Sequence, residues 1–267
     1  MKSAFDRIAA DHKTDIVSVS YGWCDDKSEF DHVPGGDRAA DQASMKAAAG
    51  VGISIYIASG DAGAYPCQRH DLTNHEPKGD WPDDSPFAVS VGGTLLSVRR
   101  DGSYLEEAGW EYPLANLGSG GGLNPTDDRP SWQDAPGVKN EFSTGKRQFP
   151  DVSGPADIAS GVFTVTGGEI GTGNGTSQAT PFFAGVMTLV RQLAEKEHAG
   201  KVGFAAPIFY ALARDKPSLP PFHDIVRGGN RHFNATPGWD YATGLGTPDA
   251  NNLARDVVAY LKKHPAH

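Results

Sequence analysis

The sequence predicts an α/β fold, a parallel central sheet flanked by helices. Two observations carry that expectation. Apolar, strand-like runs at residues 15–21 and 53–58 are separated by an Ala-rich, helix-forming stretch over residues 38–49. Strands this apolar, joined by a helix, suit a βαβ unit in a parallel sheet covered on both faces. Further on, Phe182, Val186, Leu189, Val190 and Leu193 recur at helical spacing after Ser177 and predict a helix with one apolar face.

In chain order, the first strand is Asp15-Ile16-Val17-Ser18-Val19-Ser20-Tyr21, followed by a polar loop with Pro34-Gly35-Gly36. The helix over 38–49 rests on Ala and Met45, good helix formers, and Gly50 and Gly52 stop it. Ile53-Ser54-Ile55-Tyr56-Ile57-Ala58 is the second strand, and Phe87-Ala88-Val89-Ser90-Val91, ended by Gly92-Gly93, is a third. Residues 98–160 read as loop-rich, and helices resume at Ser177, at residues 205–214 and at residues 248–263. No internal repeat or low-complexity linker divides the chain, so residues 1–267 read as one domain.

Composition narrows the function classes. The 33 glycines and 19 prolines point to long structured loops, because apolar segments recur throughout. A net charge of -9 with no Lys/Arg cluster excludes a general affinity for nucleic acid. No apolar run approaches the roughly 18 residues of a membrane helix, so no membrane partner is expected. The start, Met1-Lys2-Ser3-Ala4-Phe5-Asp6-Arg7, carries charge where an export signal would be apolar. The stretch therefore reads as cytosolic or as a piece of a longer precursor. Cys24 and Cys67 each follow an apolar strand and lack metal-site spacing. A disulfide and two free thiols are both open.

The chemistry centres on Gly173-Asn174-Gly175-Thr176-Ser177-Gln178-Ala179-Thr180-Pro181. A turn of small residues delivers a Ser at the start of an apolar helix. Glycines permit a sharp turn and close approach of a substrate. The helix start offers free N–H groups and a positive dipole end, which favour a developing oxyanion. An ordinary helix cap would also place Ser or Thr here, but Gly-Thr-Ser-x-Ala-Thr-Pro with Ala184-Gly185 following is far more specific. The Gly-rich stretch Gly118-Ser119-Gly120-Gly121-Gly122 is not set between a strand and a helix, which argues against a nucleotide cradle.

The Ser177 segment resembles the nucleophile motif of the subtilisin-like superfamily. Ala58-Ser59-Gly60-Asp61-Ala62-Gly63 resembles the sedolisin motif that puts Asp where subtilisins carry an oxyanion Asn. None of the nine histidines lies in the His-Gly-Thr setting that subtilisins use. The resemblance therefore points to the sedolisin branch, the serine-carboxyl peptidases. It implies a subtilisin-like sheet, Ser177 as nucleophile and Asp61 as oxyanion stabiliser. A carboxyl can donate to an oxyanion only when protonated, and a Glu base stays partly ionised near pH 4 where His would be charged. Both residue types imply acid operation on peptide or protein substrates.

The same resemblance assigns further residues. Ser20-Tyr21-Gly22 is similar to the Ser-x-Gly strand end that pairs with the substrate backbone as an added strand. Asp224-Ile225, Thr236-Pro237-Gly238-Trp239-Asp240 and Gly244-Leu245-Gly246 resemble the segment that surrounds a calcium ion. That implies one Ca2+ held by the side chains of Asp224 and Asp240 and the carbonyls of Ile225, Thr236 and Gly238, hard oxygen ligands of the kind calcium takes. Thr236 stands where the family often has Gly, which a carbonyl ligand tolerates if φ there is negative. Trp81-Pro82, Arg129-Pro130 and Pro150-Asp151 look like structural landmarks, and His70 and His75 read as solvated loop residues.

One part of the family pattern is missing. The general-base Glu and its partner Asp lie four apart on a helix upstream of the Ser-x-Gly strand, whereas the first Glu here is Glu29. The N-terminal part of the domain is thus expected to be missing, and a segment carrying that Glu and Asp is an expected partner. Two functions stand: an acid-acting serine endopeptidase completed by such a segment, or a catalytically inactive remnant that binds peptides or serves a structural role. The family resemblance implies an extracellular location.

Overall fold

The structure is a computed structural model that describes residues 1–24 and 38–265. The loop with Pro34-Gly35-Gly36 lies outside the described residues. The chain opens on helix α1 (Lys2–Asp11) and enters the central sheet at β1 (Ile16–Val19). Helix α2 (Arg38–Gly50) returns it to the sheet at β3 (Ser54–Ala58), whose register with β1 is parallel, Ile16 opposite Ser54. Strands β5 (Val89–Val98) and β11 (Val152–Pro155) extend the parallel sheet in the order β1-β3-β5-β11, and β6 (Tyr104–Gly109) adds antiparallel to β5. Among the described residues β1 is therefore an outer strand of this sheet.

Three further helices and five two-stranded ribbons accompany the sheet among the described residues. Helices α3 (Thr176–Lys196), α4 (Ala206–Asp215) and α5 (Ala250–Lys263) follow the sheet in sequence. Antiparallel ribbons are formed by β2 (Trp23–Cys24) with β4 (Asp80–Trp81), β7 (Glu111–Tyr112) with β8 (Leu117–Gly118), and β9 (Leu123–Asp128) with β10 (Lys146–Gln148). Two more pair β12 (Phe163–Thr166) with β13 (Glu169–Thr172) and β14 (Phe222–His223) with β15 (Thr247–Pro248).

Strand alternation divides the core into two layers. Ile53, Ile55 and Ile57 pack with Phe5, Met45 and Trp81 on the α1/α2 side. Tyr56, Val91 and Val152 pack with Phe183 and Val190 of α3 on the other. α3 is apolar on more than one face. Its core side is Ala179, Phe183, Val186, Met187, Val190 and Ala194, whereas Phe182 and Leu189 are 41% and 61% exposed. The expected single apolar face was thus assembled from two neighbouring stripes, between which period alone does not choose. The expected end of the third strand at Gly92-Gly93 is also corrected, because β5 runs through both glycines to pair with β11 and then β6.

Cys24 and Cys67 are joined in a disulfide with a Cα–Cα distance of 5.0 Å, across 43 residues of sequence. Closing a loop of that length stabilises by about 4 kcal/mol on the chain-entropy estimate. No helix among the described residues is long and apolar enough to cross a membrane.

Candidate active site

Two chain turns build the site. The first leaves the sheet at the carboxyl end of β3. Gly60 takes φ +101° there, and a Cβ on it would lie 2.2 Å from Asp80 Oδ2, so both conformation and space demand glycine. Asp61 follows directly. The second turn starts α3: Gly175, at φ +80°, is its cap residue, and a Cβ on it would lie 2.7 Å from Asp61 Oδ2. Small residues at 60 and 175 therefore let the two turns meet.

Where they meet, three hydrogen bonds lock them. Asp61 Oδ1 accepts from the Thr176 N–H at 2.7 Å and from Thr176 Oγ1 at 2.8 Å, and the Gly60 N–H donates to Thr176 Oγ1 at 3.1 Å. The carboxylate thus sits over the positive start of α3, satisfying one of its free N–H groups. Ser177 is the next residue, exposed on the surface. Its Oγ and Asp61 Oδ2 take no hydrogen bond among the described residues. Ser20 Oγ donates to the Ser177 carbonyl at 3.0 Å and brings the end of the β1 segment to the same place. Ser20, Tyr21, Gly22, Asp61 and Ser177 line one open cavity of about 190 Å³.

Sequence reasoning missed two supports of this cavity. Arg69 and Asp80, paired at 2.7 Å, form its polar wall; they are eleven residues apart and carry no motif. The Gly-rich stretch lies along the Asp61 turn: the Gly118 N–H donates to the Asp61 carbonyl at 2.9 Å and the Gly120 N–H to the Gly60 carbonyl at 2.8 Å. Its glycines back the turn. His70 and His75 are exposed, and His75 Nδ1 lies 3.1 Å from Gln68 Nε2.

The sequence profile described as the subtilase family matches residues 1–202. The chain belongs to the subtilase family. Within it, the similarity is to the sedolisins. Sedolisin of Pseudomonas sp. (strain 101) is 30% identical over 273 residues, covering 99% of this chain and 43% of that protein. Kumamolisin of Bacillus sp. (strain MN-32) is 34% identical, covering 92% of this chain and 43% of that protein. The chain thus spans less than half the length of these curated relatives. Among solved structures, Pseudomonas sedolisin, a serine-carboxyl proteinase complexed with two molecules of pseudo-iodotyrostatin, aligns with a TM-score of 0.84 at 29% identity, over 99% of this chain and 70% of that one. Sphericase, at 20% identity and a TM-score of 0.52, shares the fold.

In this subtilase chain Thr236, Gly238 and Asp240 share one turn, and the Asp224 side chain reaches it. Asp240 is buried, and its Oδ1 accepts from the N–H groups of Ala242 and Thr243, both at 2.8 Å. Its Oδ2 accepts from the Thr236 N–H at 3.0 Å. Asp224 approaches the same turn from outside, accepting from the Gly238 N–H at 3.0 Å. Burial pushes the Asp240 carboxyl up to about 7 and raises Asp224 as well. Among the described residues no ion pair involves either carboxylate, and no backbone donor reaches the carbonyls of Ile225, Thr236 or Gly238. Thr236 is not among the residues with positive φ, so its side chain causes no strain in this turn. Two carboxylates short of positive charge and three carbonyls without backbone donors make an oxygen donor set that fits a hard cation.

Proposed function

We propose that this chain is the Ser- and calcium-bearing part of an acid-acting serine-carboxyl endopeptidase. Ser177 Oγ attacks the scissile carbonyl, and Asp61, protonated on Oδ2, donates a hydrogen bond to the oxyanion. The observation that carries the reading is the Asp61 carboxyl held over the start of the helix that bears Ser177, bonded to Thr176 immediately before it. With Oδ1 engaged by Thr176, Oδ2 is the oxygen left to carry the proton. The substrate backbone runs along Ser20, Tyr21 and Gly22 as an added strand. The proton leaving Ser177 passes to a Glu, oriented by an Asp, on a helix outside these 267 residues.

One calcium ion is held by Asp224, Asp240 and the carbonyls of Ile225, Thr236 and Gly238. There it would neutralise the two carboxylates beside Trp239, whose Nε1 donates to the Pro150 carbonyl at 2.9 Å. Action outside the cell is favoured by the Cys24–Cys67 disulfide, since such bonds persist in oxidising compartments.

Reconstitution tests the reading. The chain is joined to a segment carrying a Glu-x-x-x-Asp helix and assayed on a denatured protein at pH 4. Cleavage that Ser177→Ala abolishes is the expected result. Cleavage that survives Ser177→Ala, or none at all from a natively folded assembly, counts against it.

A further inference from the structure

The turn that carries Asp61 lies outside any helix or strand, so its shape depends on what holds its backbone. The Asp61 carbonyl accepts from the Gly118 N–H, and the Gly63 N–H donates to the Gly118 carbonyl, both at 2.9 Å. The Ala64 N–H donates to the Asn230 carbonyl at 3.0 Å. Between these, the Ala62 carbonyl is held by a side chain from far along the sequence, Arg231, whose Nη1 donates to it at 2.8 Å.

Arg231 gathers three loops. Its Nη1 also donates to the Asn116 carbonyl at 3.2 Å, and its Nη2 donates to Gln68 Oε1 at 2.7 Å and to Asn116 Oδ1 at 2.8 Å. The guanidinium lies over the Tyr65 ring, 5.3 Å from its centroid. All four acceptors are neutral oxygens, so the group ties loops together and neutralises no carboxylate among them. The backbone of Arg231 stands at φ +77°, in the left-handed region that glycine adopts at less cost. A side-chain-bearing residue persists there only when its surroundings over-determine it. They do: Glu111 Oε2 accepts from the Arg231 N–H at 3.0 Å, and Nδ2 of the fully buried Asn230 donates to the Gly121 and Tyr241 carbonyls at 3.0 Å. The chain thus carries a planar, five-donor fork at a position whose backbone would suit glycine.

We propose that Arg231 is a positioning residue for Asp61: its guanidinium fixes the turn through the Ala62 carbonyl, so that the Asp61 carboxyl is in place before charge develops on the substrate. The proposal rests on the peptidase reading above. A hydrogen-bond donor to an oxyanion is effective when it needs no reorganisation during the reaction. A misplacement of about 1 Å can cost about 100-fold in rate. Thr176 holds the Asp61 carboxyl itself, and Arg231 holds the backbone from which that carboxyl projects. Lys at 231 would keep the charge and lose the fork that reaches Ala62, Asn116 and Gln68 together.

The test has two arms and two variants. Arg231→Gly removes the fork and suits the backbone; Arg231→Lys gives the same comparison if the glycine variant melts early. In the first arm, amide hydrogen exchange is followed by NMR in the full 267-residue chain. The N–H groups of Gly63, Ala64 and Gly118 should exchange at least about 10-fold faster in both variants, whereas those of Ile57 and Val91 in the sheet keep their native rates. In the second arm, the chain joined to its base-bearing segment is assayed on a peptide. Each variant should lower kcat about 10- to 100-fold and leave KM within about twofold. In an Asp61→Ala background the same substitutions should cost little more, because there is no carboxyl left to position. A purely structural role would lower activity equally in both backgrounds. Unchanged exchange at the three amides, an unchanged kcat, or an equal loss with and without Asp61 overturns the positioning role and leaves the peptidase reading standing. A natively folded parent assembly without Ser177-dependent cleavage overturns both.

Discussion

Asp61 and Thr176 lie 115 residues apart and are joined twice, through the Thr176 N–H at 2.7 Å and its Oγ1 at 2.8 Å. The hydroxyl does two jobs, because it also accepts from the Gly60 N–H. This is the clamp between the β3 turn and the helix that carries Ser177. Thr176 is fully buried. Thr176→Val keeps nearly the same shape but leaves the Gly60 N–H without its acceptor. We expect a loss of about 1–3 kcal/mol, the cost of an unsatisfied buried donor. Urea unfolding should show a lower midpoint with an unchanged slope. A midpoint within error of the native protein would mean that the clamp carries no load.

The role of Asp61 makes a second prediction, for the chain reconstituted with its base. Asp61→Ala removes the oxyanion donor and should cost about 10²–10³ in kcat. Asp61→Asn is more informative. Its amide has nearly the same shape and can still donate to the oxyanion, so it should lose much less activity than Asp61→Ala. Equal losses in the two variants would assign the oxyanion donor to another group.

How far the sequence disclosed this site depends on the range of the interactions involved. Asp61 and Ser177 could be read because each lies in a short motif that resembles a known family, one just after an apolar strand and the other at the start of an apolar helix. The Arg69–Asp80 wall and the backing of Asp61 by Gly118 and Gly120 are pairings between loops, and no local pattern encodes them. Helix α1 was not anticipated for a similar reason: of its ten residues only Phe5 is buried, and its docking on α2 is a tertiary matter. The β12–β13 hairpin escaped because every one of its eight strand residues is exposed, so no alternation of burial marks it. The expected apolar face of α3 mixed core residues with Phe182, which lines a groove beside Ser177.

Stability should be greatest in acid. Asp83 is fully buried, and burial raises its carboxyl well above the usual range, with the charges of Asp84 and Asp80 adding to the effect. Glu107 is likewise raised by burial, although Thr247 and Thr94 donate to it. At Asp127 burial pushes upward, but Gln42 and Arg38 outweigh it and hold that carboxyl low. A carboxyl with a higher pKa folded than unfolded holds its proton more tightly in the native state. Its stabilisation is complete below the unfolded value, about 4, and is lost as pH rises through the folded value. In the presence of chelator, Tm should fall as pH is raised from about 4 toward 7, and Asp83→Asn should flatten that fall. A Tm that climbs across the window would show that lowered carboxylates such as Asp127 dominate.

The last prediction couples that acid preference to calcium. Without an ion, burial pushes Asp240 up to about 7, so it joins the groups that lose stability toward neutral pH. A calcium ion binds only the carboxylate and competes with the proton, so binding should release protons and tighten between pH 5 and pH 8. The turn itself should survive chelation, because Asp240 already accepts from the N–H groups of Thr236, Ala242 and Thr243. What calcium adds is mass action on the native state, about 2.7 kcal/mol at a hundredfold excess over Kd. Excess calcium at pH 7 should raise Tm, chelator should lower it, and both responses should disappear in Asp240→Asn. The calcium effect should shrink as pH falls through the range in which Asp240 gains its proton. A melting curve indifferent to calcium and chelator at pH 7, with no calcium in elemental analysis, would leave Asp224 and Asp240 as turn-capping residues and nothing more.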